Sequence, residues 1–100
     1  MQNGKTYLFK LFIAGMNHSS FMAIENVREI LDSYLTNNFN LEVIDIYQQR
    51  QLLKDMDIIA VPTLVRTEPQ PEVRIIGDML NKKEILKVLE LKGGKHKHSS

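Results

Sequence analysis

Hydrophobic and polar positions divide the first half of the chain into a strand, a helix and a second strand. Residues 5–15, KTYLFKLFIAG, are rich in β-branched and aromatic side chains and stop at a glycine, which is typical of a strand. Apolar residues then recur at three- and four-residue spacing over residues 20–35, and this period predicts a helix with one buried face. Polar TNNFN ends the helix, and residues 41–47, LEVIDIY, predict the second strand.

The second half carries shorter and weaker patterns. Residues 48–57 favour a short helix, and residues 58–66 predict a strand that contains Pro62. Because proline cannot donate to a sheet ladder, we expect Pro62 at the start or the edge of that strand. A turn at residues 67–72 then leads to a further strand at residues 73–78.

A final helix is predicted to begin after Asn81. Asn81 can cap its first turn, and Glu84 follows three residues later, as in a capping box. Gly93 and Gly94 are expected to end this helix. The polar residues that follow, 95–100, predict a disordered tail, so we expect a single domain over residues 1–94.

The predicted elements follow one another in the order βαβαββα. A strand–helix–strand connection of this length makes the first two strands parallel, whereas about six residues between the last two strands make an antiparallel hairpin. The sequence therefore predicts an α/β fold, a four-stranded mixed sheet with helices on both faces. This layout resembles the thioredoxin fold.

Composition narrows the chemistry that such a fold could perform. The chain of 100 residues has no cysteine, which excludes disulfides, thiol redox reactions, a cysteine nucleophile and thiolate metal sites. A net charge of +1 gives no field that would favour nucleic acid or an anionic membrane as a partner. The sequence shows neither a signal peptide nor a membrane span, so we expect a cytoplasmic protein.

The loop after the first strand lies where a redox protein of this layout would hold two cysteines. Here it reads GMNHSS, and Ser19 or Ser20 is expected to cap the following helix. His18 beside the two serines suggests a nucleophile and its base. Adjacent residues at a helix start rarely align in that way, however, and no third group orients the histidine. No catalytic residue is predicted.

Neither a metal nor a cofactor is predicted. His96 and His98 are only two ligands on a tail, and the aspartates show no spacing typical of a calcium loop or of paired carboxylates. The chain also contains no glycine-rich loop that would bind a nucleotide phosphate.

Three stretches carry a resemblance to a known family. KTYLFKLFIAG, LEVIDIY, and PTL followed by PQPEVRIIGDMLNKKEIL together resemble the KaiB family of bacterial circadian clock proteins, over about residues 5–91. The resemblance implies a non-enzymatic regulator that binds the ATPase KaiC and modulates its phosphorylation cycle. It also implies two folds: a thioredoxin-like state that binds KaiC, and a resting state with a rearranged C-terminal half that commonly assembles as a tetramer.

The resemblance also assigns contacts with the partner. Basic residues on the first strand and in the C-terminal half meet KaiC in the family, and Lys10, Arg66 and Arg74 stand at matching positions. Met22 departs from an arginine that is common in the family, and Glu42 departs from a lysine. The family's longer, often acidic C-terminal extension is also replaced here, by KGGKHKHSS.

Three further residues are assigned to the change of fold. Pro62 matches a proline that is usually cis in thioredoxin-like proteins, and the resemblance matches Gly77 and Asp78 to residues whose alteration shifts the fold balance. Physically, glycine accepts a positive φ, and the Asp78 carboxylate can bind nearby backbone N–H groups to fix a turn.

Other functions stay open at this stage. One is a non-circadian stress-response role for a KaiB homologue with a different partner, which the departures at Met22 and Glu42 leave open. Another, from a different class, is a cysteine-less thioredoxin-fold enzyme that uses the loop after the first strand. A clock-associated histidine kinase is a further possible partner, and the resting protein is expected to be a homo-oligomer, either dimer or tetramer.

Overall fold

The structure, a computed structural model, describes residues 6–91. Its elements follow the predicted order βαβαββα. They are β1 (Tyr7–Ile13), α1 (His18–Leu35), β2 (Phe39–Asp45), α2 (Arg50–Asp55), β3 (Thr63–Glu68), β4 (Val73–Ile76) and α3 (Lys82–Leu89).

The four strands form one mixed sheet in the order β2-β1-β3-β4. β1 runs parallel to β2, with Tyr7 opposite Phe39 and Ile13 opposite Asp45. β1 also pairs antiparallel with β3, which in turn pairs antiparallel with β4. The predicted parallel unit and the predicted hairpin are therefore both confirmed, as is the thioredoxin-like α/β class.

Hydrophobic side chains are buried on both faces of this sheet. The larger cluster lies beneath α1 and α3; its buried members include Phe9, Leu11, Ile13, Val27, Leu31, Leu64, Ile85 and Leu89. A smaller cluster, Phe12, Ile44, Ile58 and Val65, packs against α2. Since β1 contributes to both clusters, its nearly continuous apolar sequence is explained by burial on two sides.

α1 begins earlier than predicted, and a different residue caps it. Asn17 Oδ1 accepts a hydrogen bond from the backbone N–H of Ser20 at 2.9 Å, and the helix starts at His18. The predicted serine caps are therefore wrong, because Ser19 and Ser20 already lie inside the first turn. Ser20 is buried instead. Asparagine is as good an N-cap as serine, so the pattern of residue types could not separate them.

The strand boundaries also differ from prediction, most clearly at the end of β2 and the start of β3. β2 ends at Asp45 rather than at residue 47, because Asp45 accepts backbone hydrogen bonds from residues 47–49 and turns the chain. β3 starts only at Thr63, so the predicted strand over residues 58–66 is wrong in its first five residues. Pro62 directly precedes the strand, as its missing N–H leads one to expect. The Val61–Pro62 bond is cis, in agreement with the expectation.

The cap predicted for the last helix is confirmed, but its end is not. Asn81 Oδ1 accepts from the N–H of Glu84 at 3.1 Å. α3 then ends at Leu89, and Glu90 takes the left-handed conformation that closes a helix, with φ 57°. The predicted stop at residues 93–94 and the predicted tail at 95–100 lie outside the described residues.

No helix within residues 6–91 is long and apolar enough to cross a membrane.

Replacing the α3 cap should lower stability measurably. In Asn81→Ala, the Glu84 N–H loses its acceptor, and we expect the free energy of unfolding to fall by about 1 kcal/mol. Urea unfolding followed by circular dichroism measures the change. Asn37→Ala is the control, since Asn37 is exposed in the turn before β2; an equal loss in both variants would contradict the capping role.

Candidate partner-binding site

The loop between β1 and α1 is held by hydrogen bonds to its backbone. Asp45 Oδ1 accepts from the backbone N–H of Gly15 at 3.1 Å and from that of Tyr47 at 3.0 Å. Gly15 has a φ of 76°, and the Tyr47 ring lies 3.4 Å from the position that a Cβ there would take. One carboxylate thus fixes the carboxyl ends of both parallel strands, at the place where a thioredoxin would carry its thiols.

A shallow cleft lies beside this loop. It has a volume of about 310 Å³ and is lined by His18, Ser19, Met22, Asp78 and Leu80. Met22 is 38% exposed and Leu80 is 57% exposed, so the cleft has apolar walls. Within residues 6–91, no hydrogen bond joins His18 to either serine or to Asp78, which gives no support to a nucleophile–base pair.

The three residues assigned to the change of fold lie close together. The backbone N–H of Gly77 donates to the Pro62 carbonyl oxygen at 3.2 Å, directly beyond the pairing of Thr63 with Ile76. Gly77 has a φ of 141°, and Asp78 Oδ1 accepts from the Leu80 N–H at 3.0 Å. The predicted turn chemistry is confirmed, while the predicted role in switching stays a prediction.

Two of the three predicted basic contacts share one face of the sheet. Lys10 lies opposite Val65, and Val65 lies opposite Arg74, so the three side chains point to the side of α2. Glu42 stands next in the same row, opposite Lys10 on β2, and its Oε1 is 2.7 Å from Lys10 Nζ. The basic charge of Lys10 is therefore balanced by its neighbour.

Arg74 has a structural role that the sequence did not indicate. Its Nε is 2.7 Å from Glu72 Oε2, and its Nη1 and Nη2 donate to the carbonyl oxygens of Asp57 and Met56. These carbonyls lie in the segment between α2 and β3. Backbone acceptors leave no sequence signature, which is why residue type and position suggested only an exposed cation.

Arg66 lies apart from the other two cations. It pairs with Phe9 of β1, on the sheet face that α1 and α3 cover, and it is only 8% exposed. Its Nη2 donates to the Pro71 carbonyl oxygen at 2.8 Å, which ties β3 to the turn before β4. The geometry thus separates Arg66 from the row that contains Lys10 and Arg74.

The comparison with known families covers almost all of the described chain. The KaiB domain family matches residues 10–91. This chain belongs to the KaiB family. Named relatives agree: the circadian clock oscillator protein KaiB of Prochlorococcus marinus strain MIT 9312 is 40% identical over 87 residues, which is 87% of this chain and 83% of the relative. The protein of the same name from Synechococcus sp. strain RCC307 is 38% identical, over 91% of this chain and 83% of its own.

Solved structures confirm the fold of this KaiB family member. The N-terminal domain of Synechococcus elongatus SasA superposes with a TM-score of 0.72 at 21% identity, and covers 90% of this chain and 89% of its own. Mitochondrial thioredoxin 3 of Saccharomyces cerevisiae superposes with a TM-score of 0.67 at 19% identity, over 87% and 80% of the two chains. Likeness at this identity is a likeness of fold alone.

KaiB membership and the missing cysteines bear on which chemistry the β1–α1 loop can perform. The KaiB family is non-enzymatic, and the sequence has no thiol with which to perform thioredoxin chemistry. Within residues 6–91, no group of three or more histidine, aspartate or glutamate side chains could hold a metal ion. The candidate site therefore comprises two surface features, the cleft at the start of α1 and the charged row on the α2 face.

Replacing Gly77 should destabilise this thioredoxin-like state. A Cβ at that position would meet no atom within 4 Å, so only the backbone strain of a positive φ acts. We expect Gly77→Ala to lower the free energy of unfolding by about 1–3 kcal/mol. Urea unfolding measures it, with Ala60→Gly in the loop before Pro62 as a control for backbone freedom. An alanine variant as stable as the parent would contradict the strain.

Proposed function

We propose that this chain is a circadian clock regulator that binds a KaiC-type ATPase in its thioredoxin-like state and modulates the phosphorylation cycle of that enzyme. Membership of the KaiB family carries the proposal. The missing cysteines and the intact thioredoxin-like layout support it, because a fold kept without its reactive atoms is useful as a binding surface.

The proposed binding surface is the α2 face of the sheet. α2 has only six residues and covers Phe12 at the carboxyl end of β1, so the row from Glu42 through Lys10 to Arg74 stays partly open to solvent. Arg74 is held by two carbonyl groups and one carboxylate, and a preorganised cation loses less side-chain entropy when it binds. Arg66, by contrast, is buried on the opposite sheet face, so it would influence binding only through the stability of the fold.

We also propose that partner binding and choice of fold form one equilibrium. A state populated at 1% lies about 2.7 kcal/mol above the major state, an amount that a partner binding only the minor form readily supplies. The contact between Gly77 and the Pro62 carbonyl, with the Asp78 turn beside it, belongs to the thioredoxin-like state and is a natural place for such an equilibrium to act. In the resting state we propose a homo-oligomer, either dimer or tetramer.

The Lys10–Glu42 pair favours a second candidate function. A balanced ion pair attracts an acidic partner surface less than two cations would. This observation supports the alternative that the chain is a KaiB homologue in a non-circadian stress-response role with a different partner. For the circadian candidate, we propose a clock-associated histidine kinase as a further partner. Both candidates place the protein in the cytoplasm.

Reversing the charge at position 42 should test the proposed surface. In Glu42→Lys, Lys10 loses its counter-charge and two cations stand side by side, so we expect association with the host's KaiC-type ATPase to become about tenfold faster at low salt. Biolayer interferometry at low and high salt measures the rates. Glu29→Lys, on the exposed side of α1, is the matched control for net charge.

The outcome distinguishes a local effect from a global one. Equal acceleration by both variants would mean that net charge alone acts, and no acceleration by Glu42→Lys would remove the row from the interface. Co-purification from the native host, with the oligomeric state of the free protein measured alongside, identifies the partner. Turnover above background in an insulin-reduction or glutathione-transfer assay would overturn the non-enzymatic function.

A further inference from the structure

Arg66 is a buried cation with few partners. The residue is 8% exposed and stands between Phe9 of β1 and Val73 of β4 in the ladders that flank β3. Its Nη2 donates to the Pro71 carbonyl oxygen, but its Nε is buried and makes no hydrogen bond. Within residues 6–91, the hydrogen-bond acceptor of this guanidinium is a neutral carbonyl oxygen.

Within the described chain, no carboxylate side chain lies within ion-pair distance of this guanidinium. All 12 aspartates and glutamates of the sequence lie within residues 6–91, so the whole set of acidic side chains is described. The ion pairs in this part of the chain are Lys10 with Glu42 and Arg74 with Glu72. Glu72, six residues from Arg66, is thus engaged by the neighbouring arginine.

A buried guanidinium without a counter-ion opposes the fold that buries it. Removing a cation from water is costly, and the cost is recovered only when an opposite charge and well-placed hydrogen bonds replace the lost hydration. Here one hydrogen bond replaces several, and a second donor remains unpaired. Buried polar groups in folded proteins are usually satisfied, so this exception calls for a physical reason.

We propose that Arg66 is a destabilising element that keeps the thioredoxin-like state only marginally stable. The C-terminal half releases the guanidinium to water whenever β3 separates from β1, so the charge favours every conformation in which that ladder is open. The regulatory role of Arg66 rests on the proposed function, in which a partner selects the thioredoxin-like state. Arg66 then sets how much of that state is available, and touches no partner itself.

The two possible roles of Arg66 lead to opposite results. A residue that contacts the partner, when replaced by an apolar one, raises the dissociation rate of the complex and leaves the free protein unaffected. A destabilising buried cation, when replaced by an apolar side chain of similar length, makes the free thioredoxin-like state more stable. Methionine is suitable, because it is unbranched and fills irregular space.

The experiment compares Arg66→Met with the parent by NMR of the free proteins, in which separate amide signals report the thioredoxin-like and the resting states. We expect the ratio of thioredoxin-like to resting signals, for β3 and β4 amides such as those of Val65 and Ile75, to rise about tenfold in Arg66→Met. Arg66→Lys keeps a buried cation and should bring no gain. Arg28→Met removes an arginine from the exposed side of α1 and should leave the ratio unchanged.

An unchanged or smaller thioredoxin-like fraction in Arg66→Met, or its failure to fold, would overturn the inference, as would an equal gain in Arg28→Met. Each of these readouts uses the free protein, so they remain decisive even where no KaiC-type ATPase binds. Where it does bind, Arg66→Met should raise the association rate and leave the dissociation rate unchanged. The failure of the inference and the failure of the proposed function are thereby separated.

Discussion

The backbone ladder between β1 and β3 is the interaction on which the rest of the structure depends. It joins the N-terminal strand to the second half of the chain, from Leu8 opposite Glu68 to Phe12 opposite Thr63. β4 pairs only with β3 within the described residues, and α3 packs on the surface that these strands complete. A ladder between residues so distant in sequence must offset a large entropy of loop closure. Its stability therefore decides whether the second half of the chain can pack against the first.

That ladder also divides the chemistry of the molecule between two faces. On the side of α1 and α3, Phe9 and Leu64 belong to a large apolar cluster that also surrounds the strand carrying Arg66. On the other side, the short α2 covers only part of the sheet and leaves the row that holds Lys10 and Arg74 accessible. One face therefore carries the larger apolar cluster and the other carries the partly exposed charged row, although adjacent residues of the same strands supply both.

The pattern of residue types predicted the order and type of all seven elements, although α2 and β4 are short and show only weak patterns. It failed at their ends, where single hydrogen bonds decide: Asn17 rather than a serine caps α1, and the Asp45 carboxylate ends β2. The site was predicted less well. Residue type alone cannot distinguish the buried Arg66 from the exposed Lys10, and the acceptors of Arg74 are main-chain carbonyls that any residue could provide.

The Asp45 carboxylate makes the backbone course of the β1–α1 loop independent of most side chains in that loop. It accepts from the main-chain N–H groups of Gly15 and Tyr47, so the loop keeps its course whatever side chain stands at exposed Met16. Such a frame is open to evolutionary change, because substitutions at its exposed tip alter the chemistry of that surface without a large penalty in folding. One scaffold can in this way carry a reactive dithiol in one lineage and a recognition surface in another.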